Sequence, residues 1–224
     1  GKVFYKPQWV SVMKKGRLFK YKRKEFSSPR LYKEWIFVGS DAGLFYCLKK
    51  KGGRKLWRFQ TKGAINSTPA FWGGEEERDD LVFIGDEKGF LYALSVEKGA
   101  LKWKKDLGSE ILAAPAAGRD RVFVATLEGR VVALNPADGQ ILWEKDFPPA
   151  GPLFQMTIHG NSSPVFDEEG RKLFIGFADG ILRVLSPSDG RLVWEKNLSE
   201  VKGGFNDIDG APLVEGDRLF GSTF

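Results

Sequence analysis

The sequence predicts an all-β protein of the propeller type, built from four-stranded blades. Three observations predict it: a repeat with constant spacing, short apolar runs rich in β-branched and aromatic residues, and a repeat length of about 40–50 residues. In every copy a glycine is followed by leucine at offset 5, a second glycine at offset 10 and tryptophan at offset 14. The four copies comprise Gly43, Leu48, Gly53 and Trp57; Gly89, Leu94, Gly99 and Trp103; Gly129, Leu134, Gly139 and Trp143; and Gly180, Leu185, Gly190 and Trp194.

Each copy also has a phenylalanine six residues before its first glycine and a proline further upstream, and a fifth copy begins with Pro212 and Phe220. We therefore expect residues 1–224 to form one partial propeller domain, in which residues 1–28 supply strands of a ring-closing blade. The predicted repeats span about 29–66, 67–112, 113–161 and 162–209, followed by a truncated repeat at 210–224.

The third copy illustrates how the elements follow one another. Small side chains at Ala113–Ala117 suit an innermost strand, where neighbouring blades crowd together, and Asn135–Gly139 favours a turn because Pro136 fixes φ and Gly139 accepts a positive φ. The remaining elements are a strand at 121–125, a hairpin turn at Glu128-Gly129, a strand at 130–134 and an outer strand at 141–145.

The tryptophans of the repeat, Trp57, Trp103, Trp143 and Trp194, occupy one constant position. Constant placement predicts an equivalent blade-to-blade contact, with the indole N–H on a backbone carbonyl, rather than a ligand cage. The single cysteine, Cys47, stands among strand-forming apolar residues and is predicted to be a buried thiol, because free cysteine is commonly buried.

Charge is distributed unevenly although the formal net charge is only +6. Residues 1–62 contain 18 Lys and Arg against 3 Asp and Glu, whereas residues 63–224 contain 17 against 26. Two basic clusters, at 14–24 and 49–55, could attract the phosphates of lipid or nucleic acid, or could be solvated strand edges guarded by lysine. No nucleic-acid-binding module accompanies them, so we expect no nucleic-acid partner. No apolar run approaches the roughly 18 residues of a membrane span. No charged-then-apolar leader follows Gly1, so we expect that any export signal has been removed or was never present.

Residues for catalysis are sparse. His159 is the sole histidine, which excludes histidine-based triads and zinc sites with several histidines, and neither a phosphate-binding loop nor a dinucleotide fingerprint is present. His159 is either a surface residue or a partner contact that responds to pH near 6.5, its unperturbed pKa. Asp207 and Asp209 would share one face of a strand. The sequence predicts no enzyme, no cofactor and no metal site.

The stretch from Ala133 to Trp143 resembles the tryptophan-docking motif of quinoprotein-type propellers, which are built from PQQ-like repeats. The enzymes of that broad family pair two adjacent cysteines with calcium ligands and a catalytic aspartate. This sequence has one cysteine, so the resemblance implies the fold and not a quinone-dependent dehydrogenase. A propeller that binds quinone or another small ligand, as a sensor or a dehydrogenase-related domain, remains the alternative function.

Two further segments, Gly160–Pro164 and Asn206–Pro212, are similar to segments of the BamB family, the propeller lipoproteins of the outer-membrane β-barrel assembly machinery. In that family they belong to the surface that meets the POTRA domains of BamA. Asp207 and Asp209 match the family's aspartates, whereas Met156, Ile158 and His159 replace Leu, Leu and Arg. The missing arginine removes a five-donor group from the expected contact.

The resemblance implies a non-catalytic periplasmic scaffold at the inner face of the outer membrane, held there by a lipid anchor that this chain does not contain. Its expected partners are BamA and nascent outer-membrane proteins. Family members have eight blades, so this chain covers about half a ring: it is a fragment, or two copies complete one ring. Because neighbouring blades place equivalent loops side by side, the expected partner-binding residues should converge on one accessible patch: Asp207, Asp209, Met156, Ile158 and His159.

Overall fold

The computed structural model describes residues 27–73, 80–118, 120–148, 161–167, 169–198, 208, 210–215 and 218–220. All regular structure in this part of the chain is β-strand. None of the described residues forms a helix that is long and apolar enough to cross a membrane.

Eighteen short strands follow one another along the described part of the chain. They are β1 (Arg30–Tyr32), β2 (Trp35–Gly39), β3 (Leu44–Lys49), β4 (Lys55–Gln60), β5 (Ala70–Trp72), β6 (Leu81–Gly85), β7 (Phe90–Ser95), β8 (Leu101–Asp106), β9 (Ala116–Ala117), β10 (Val122–Ala125), β11 (Arg130–Leu134), β12 (Ile141–Asp146), β13 (Val165–Phe166), β14 (Leu173–Gly176), β15 (Ile181–Leu185), β16 (Leu192–Asn197), β17 (Leu213–Glu215) and β18 (Arg218–Phe220).

The strands form four antiparallel four-stranded sheets and one two-stranded sheet, and each sheet pairs its strands in sequence order. We call the sheets blades 1 to 5; β1 to β4 make blade 1, and β17 and β18 are the described strands of blade 5. The inner strands β5 and β9 lie beside each other across one blade boundary, and β13 and β17 do so across another. The predicted fold class, an all-β propeller of four-stranded blades, is confirmed.

In every four-stranded blade, the pairing between the third and the outer strand shifts its register by one residue. In blade 3 the shift lies between Ala133 and Leu134. The turn before it ends in a glycine with positive φ, such as Gly139 at 73° and Gly190 at 70°. A Cβ atom on Gly139 would lie 2.7 Å from the ring of Trp103 in the preceding blade. Glycine is therefore required at this position for two reasons: the backbone has a positive φ, and the tryptophan ring of the preceding blade occupies the space that a side chain would need.

The apolar core lies between blades rather than in a single centre. One cluster joins Phe37, Phe45 and Cys47 of blade 1 to Val82 and Ile84 of blade 2. Comparable clusters join blade 2 to blade 3 and blade 3 to blade 4. Each blade is thus stabilised mainly by burial against its neighbours, the dominant favourable contribution to folding.

Cys47 lies in the first of these clusters and is fully buried, as predicted. Desolvation by burial raises the pKa of its thiol from 9.0 to about 12. Because the folded state holds the thiol proton more tightly than the unfolded state, this group contributes stability that is complete below pH 9 and is lost as the pH rises toward 12.

We expect the Cys47 thiol of the native protein to react with iodoacetamide at least about a hundredfold more slowly than the same thiol in denaturant, since the thiolate is the reactive form and burial denies access. Mass spectrometry reports the reaction directly, because the chain has one cysteine. Equal rates for the folded and denatured protein would show that Cys47 is accessible.

Candidate functional site

The residues predicted to bind a partner, Met156, Ile158, His159, Asp207 and Asp209, lie outside the described residues. Ile208, which stands between the two aspartates, and Asn161, two residues after His159, are described. Both belong to loops that join the outermost strand of one blade to the innermost strand of the next. We call these connections the outer-to-inner loops. They span 61–69, 107–115, 147–164 and 198–212, of which the last two are described in part.

A buried isoleucine anchors three of the outer-to-inner loops. Ile65 and Ile111 are fully buried, and Ile208 is 1% exposed. Each isoleucine packs on a glycine at the end of a second strand: Gly39, Gly85 and Gly176 respectively. A methyl group on any of these glycines would overlap the isoleucine side chain, so an isoleucine in the loop requires glycine at the strand end.

The backbone of each isoleucine is held as well. The amide of Ile65 donates to the Ser40 carbonyl over 3.1 Å, and the amide of Ile111 donates to the Asp86 carbonyl over 3.1 Å. Ile208 donates in the same way to Phe177, over 3.3 Å. Each of these loops is thereby held in place at its buried isoleucine.

A serine hydroxyl provides a second anchor in three blades. The amides of Gly39 and Gly176 donate to the hydroxyls of Ser27 and Ser162, each over 2.8 Å. The Ser67 hydroxyl and the Gly85 backbone bond in the same manner. The hydroxyl satisfies a strand-end amide that would otherwise be buried without a partner.

The residues on either side of the buried isoleucine are partly exposed in the two loops that are described throughout. In the first loop they are Ala64 and Asn66, and in the second they are Glu110 and Leu112. Asp207 and Asp209 occupy the same two positions beside Ile208 in the sequence.

Blade 3 uses a different anchor. Ala125 stands where the other blades have glycine, and Gly160 stands in the sequence where the other loops have isoleucine. Asn161 is buried; its side-chain amide donates to the Thr126 carbonyl over 2.6 Å, and its side-chain carbonyl accepts from the Ala178 amide over 3.1 Å. The sequence analysis did not predict the isoleucine anchors. A signal was present, because the loop position has isoleucine wherever the strand-end position has glycine, and it has glycine where the strand end has alanine.

A buried ion-pair group lies beside the third outer-to-inner loop. Arg183 forms two hydrogen bonds with the Asp179 carboxylate, of 3.1 and 2.7 Å, and a 3.2 Å ion pair with Glu195. Its guanidinium lies over the rings of Phe147 and Phe177, at 5.3 and 4.7 Å from their centroids. The charge is thus paired and stacked, and the arginine joins the start of this loop to blade 4.

A second buried carboxylate, Asp86, fixes the turn between β6 and β7. Its Oδ1 accepts the amides of Lys88 and Phe90, at 2.9 and 3.0 Å. Its Oδ2 accepts the Gly63 amide and the Tyr92 hydroxyl, at 3.0 and 2.9 Å. Desolvation by burial raises the pKa of Tyr92, with the hydrogen bond to Asp86 as a smaller contribution in the same direction. The network ties blade 2 to the first outer-to-inner loop.

Three of the repeat tryptophans bridge consecutive blades. Trp57 donates its indole N–H to the Val96 carbonyl at 3.1 Å, Trp103 to Pro136 at 2.8 Å, and Trp143 to Pro187 at 2.9 Å. Trp194 differs from the prediction: it is 40% exposed and packs edge-on against Phe174 of its own blade. No blade in the described part of the chain covers this ring.

A concave space of about 550 Å³ opens at the inner strands. Its lining offers one cation, Arg30, and the hydroxyls of Thr68 and Ser163, among alanines, prolines and apolar rings. A calcium ion needs about six to eight oxygen ligands, and no described residues form a cluster of three or more His, Cys, Asp or Glu that could hold a metal. The lining does not fit a calcium-bound quinone.

The repeated sheets and the tryptophan bridges define a β-propeller built from PQQ-like repeats. A family model described as outer membrane protein assembly factor BamB matches residues 76–224. The chain belongs to the BamB family, as its two loop segments had suggested.

Individual relatives agree with this assignment. The chain is 29% identical over 127 residues to outer membrane protein assembly factor BamB of Shewanella oneidensis, an alignment covering 54% of this chain and 31% of that protein. The crystal structure of BamB from Moraxella catarrhalis superposes with a TM-score of 0.73 at 24% identity, over 88% of this chain and 57% of that one. The chain therefore spans only part of the length of these relatives.

The fold is shared more widely. The quinohemoprotein alcohol dehydrogenase of Comamonas testosteroni superposes with a TM-score of 0.66 at 15% identity, covering 89% of this chain and 39% of that enzyme. At this level of identity the likeness concerns the fold alone.

Proposed function

We propose that this chain is a non-catalytic scaffold for the assembly of outer-membrane proteins, acting at the periplasmic face of the outer membrane. The observation that carries the proposal is the family match over residues 76–224, which contains both outer-to-inner loops that resemble the family's partner-binding segments. A lipid anchor and an eight-bladed ring belong to the proposal for the whole protein, since this chain spans 57% of the Moraxella relative.

The proposed partner-binding face consists of Asp207, Asp209, Met156, Ile158 and His159. One observation supports this face. Ile65 and Ile111, the isoleucines equivalent to Ile208, are buried, and the residues that flank them are partly exposed. By repeat equivalence, we propose that the two aspartates flank Ile208 as partly exposed residues flank Ile65 and Ile111. His159 stands five residues before Pro164, as Asp207 stands five before Pro212.

Such a face suits a POTRA domain of BamA as partner. Met156 and Ile158 would provide an apolar centre, and the carboxylates would orient the partner and disfavour acidic surfaces, since charge complementarity acts mainly on specificity. The quinone-binding alternative is not proposed, because the cavity lining does not fit a calcium-bound quinone and the resemblance to the dehydrogenase concerns the fold alone.

Reversing both charges, Asp207→Arg with Asp209→Arg, is expected to abolish co-purification with BamA while leaving the melting temperature nearly unchanged. The physical reason is that two cations would replace two carboxylates at the contact and repel the groups that the aspartates attract. The measurement is affinity capture of the chain from cells that produce it within its full-length parent, followed by immunoblotting for BamA.

A matched control is Asp138→Arg with Asp189→Arg, which makes the same charge change at exposed turns between third and outer strands. This control should still capture BamA. Capture by the Asp207 and Asp209 variant would refute the assigned face, whereas failure of the unaltered protein to capture BamA would refute the proposed function itself.

A further inference from the structure

Blade 1 carries a larger positive charge than the other blades at the same place. The segment from the third-to-outer turn through the outer strand covers residues 49–60, 95–106, 135–146 and 186–197 in blades 1 to 4. Counting Lys and Arg as +1 and Asp and Glu as −1, their net charges are +6, +2, −2 and 0. Residues 42–74 contain seven cations and no Asp or Glu.

The fold does not require these cations. All four segments form the same turn with a positive-φ glycine, the same register shift and the same outer strand. Lysine on an exposed edge strand can prevent pairing with the edge of another sheet, but every blade would need that protection equally. Blades 3 and 4 nevertheless build this edge with mixed charges, so edge protection does not explain the cations of blade 1.

The cations are available for binding. All four side chains at the third-to-outer turn are exposed, from the last residue of β3 to the residue before β4: Lys49, Lys50, Lys51 and Arg54. Within the part of the chain that the structure describes, no ion pair involves any of these four side chains. No ion pair among the described residues therefore offsets their mutual repulsion, and an anionic surface would release the counter-ions that they hold.

The shape and composition of this basic turn favour lipid over nucleic acid. Single-stranded nucleic acids are bound in grooves whose exposed aromatic rings stack on the bases. Every described aromatic side chain of blade 1 is buried or only partly exposed, including Trp57 and Phe59 on the adjoining outer strand. An exposed turn with three lysines and an arginine instead matches the polybasic segments that lie on anionic headgroups.

We propose that the basic turn of blade 1, Lys49, Lys50, Lys51 and Arg54, binds the headgroups of anionic phospholipids and so sets how the propeller lies against a membrane. The inference goes beyond the proposed scaffold function and needs no protein partner, so each can fail without the other.

The test is co-sedimentation of the purified chain with vesicles of phosphatidylcholine containing about 30 mol% phosphatidylglycerol, against vesicles of phosphatidylcholine alone. We expect binding only to the anionic vesicles and its loss in about 0.5 M salt, where the Debye length falls to a few ångströms. Replacing the four cations with glutamine should weaken partitioning at least about a hundredfold, since each cation near an anionic surface contributes roughly fivefold.

A matched control replaces four exposed cations elsewhere, Lys98, Lys145, Arg191 and Lys196, with glutamine, which gives the same net charge. It should keep most of the vesicle binding. If both variants lost vesicle binding equally, the net charge of the chain would explain the binding and the proposal would be overturned. Absence of binding by the unaltered chain would overturn it as well. Tighter binding to a short DNA duplex than to vesicles at equal phosphate concentration would assign the turn to nucleic acid instead.

Discussion

Replacing Trp143 with alanine is expected to lower the free energy of unfolding by about 3–5 kcal/mol, the usual range for deleting a large ring from a packed site. The ring packs on Phe123, with centroids 5.7 Å apart, and against Gly190 of the next blade. Its indole N–H also donates to the Pro187 carbonyl. The substitution removes this hydrogen bond and the apolar contact between two blades, and it leaves Arg121, at 2.8 Å, as the side-chain donor to that carbonyl. Urea denaturation followed by circular dichroism measures the loss.

Trp194 provides the matched control, because it occupies the same repeat position and is 40% exposed. Trp194→Ala should cost about 1 kcal/mol, the range of a partly exposed side chain. Similar costs for the two variants would contradict the assignment of Trp143 to a bridge between blades.

Asp86→Ala is also expected to cost about 3–5 kcal/mol, by a different mechanism. The substitution leaves the Tyr92 hydroxyl and the amides of Gly63, Lys88 and Phe90 without their acceptor. Asp86 is fully buried, so water replaces those bonds poorly. The same urea titration applies, and hydrogen exchange should show faster exchange of the Gly63 amide.

Ser40 holds the equivalent position in blade 1, where its hydroxyl accepts the Leu44 amide at 3.1 Å. Ser40→Ala should therefore cost only about 1 kcal/mol, the net value of one ordinary hydrogen bond. If Asp86→Ala cost no more than this control, the buried carboxylate would not be holding the turn together.

The blades could be predicted from the sequence in detail because the repeat imposes the same local signals four times. In blade 3 the third strand lies at Arg130–Leu134, as predicted, and the second begins one residue late, at Val122. The innermost strand is shorter than the alanine run: β9 is only Ala116–Ala117. Pro115 precedes it and has no amide hydrogen to donate, so ladder pairing starts after the proline.

The site was less accessible to sequence reasoning. The partner-binding residues were inferred from a family resemblance, since the loop at 147–164 is longer than its counterparts and does not follow the repeat. The Asp86 network was missed because one of its donors, the Gly63 amide, comes from the loop before the blade, 23 residues away in the sequence. Nothing local distinguishes this aspartate from Asp41 in the corresponding turn of blade 1. The isoleucine anchors were missed for a related reason: the glycine and the isoleucine of one pair lie 26 to 32 residues apart.

The tryptophan bridge runs in one direction only, from the outer strand of a blade to the turn of the blade that follows. Trp57, Trp103 and Trp143 use the same atoms at three successive junctions. Because the acceptor is a backbone carbonyl, any blade with this turn can follow any other. A whole blade could therefore be duplicated, deleted or exchanged, and each of these tryptophans would still find its acceptor. In any closed propeller built from such blades, the angle between neighbouring blades would fix their number, while the loops would be free to diverge.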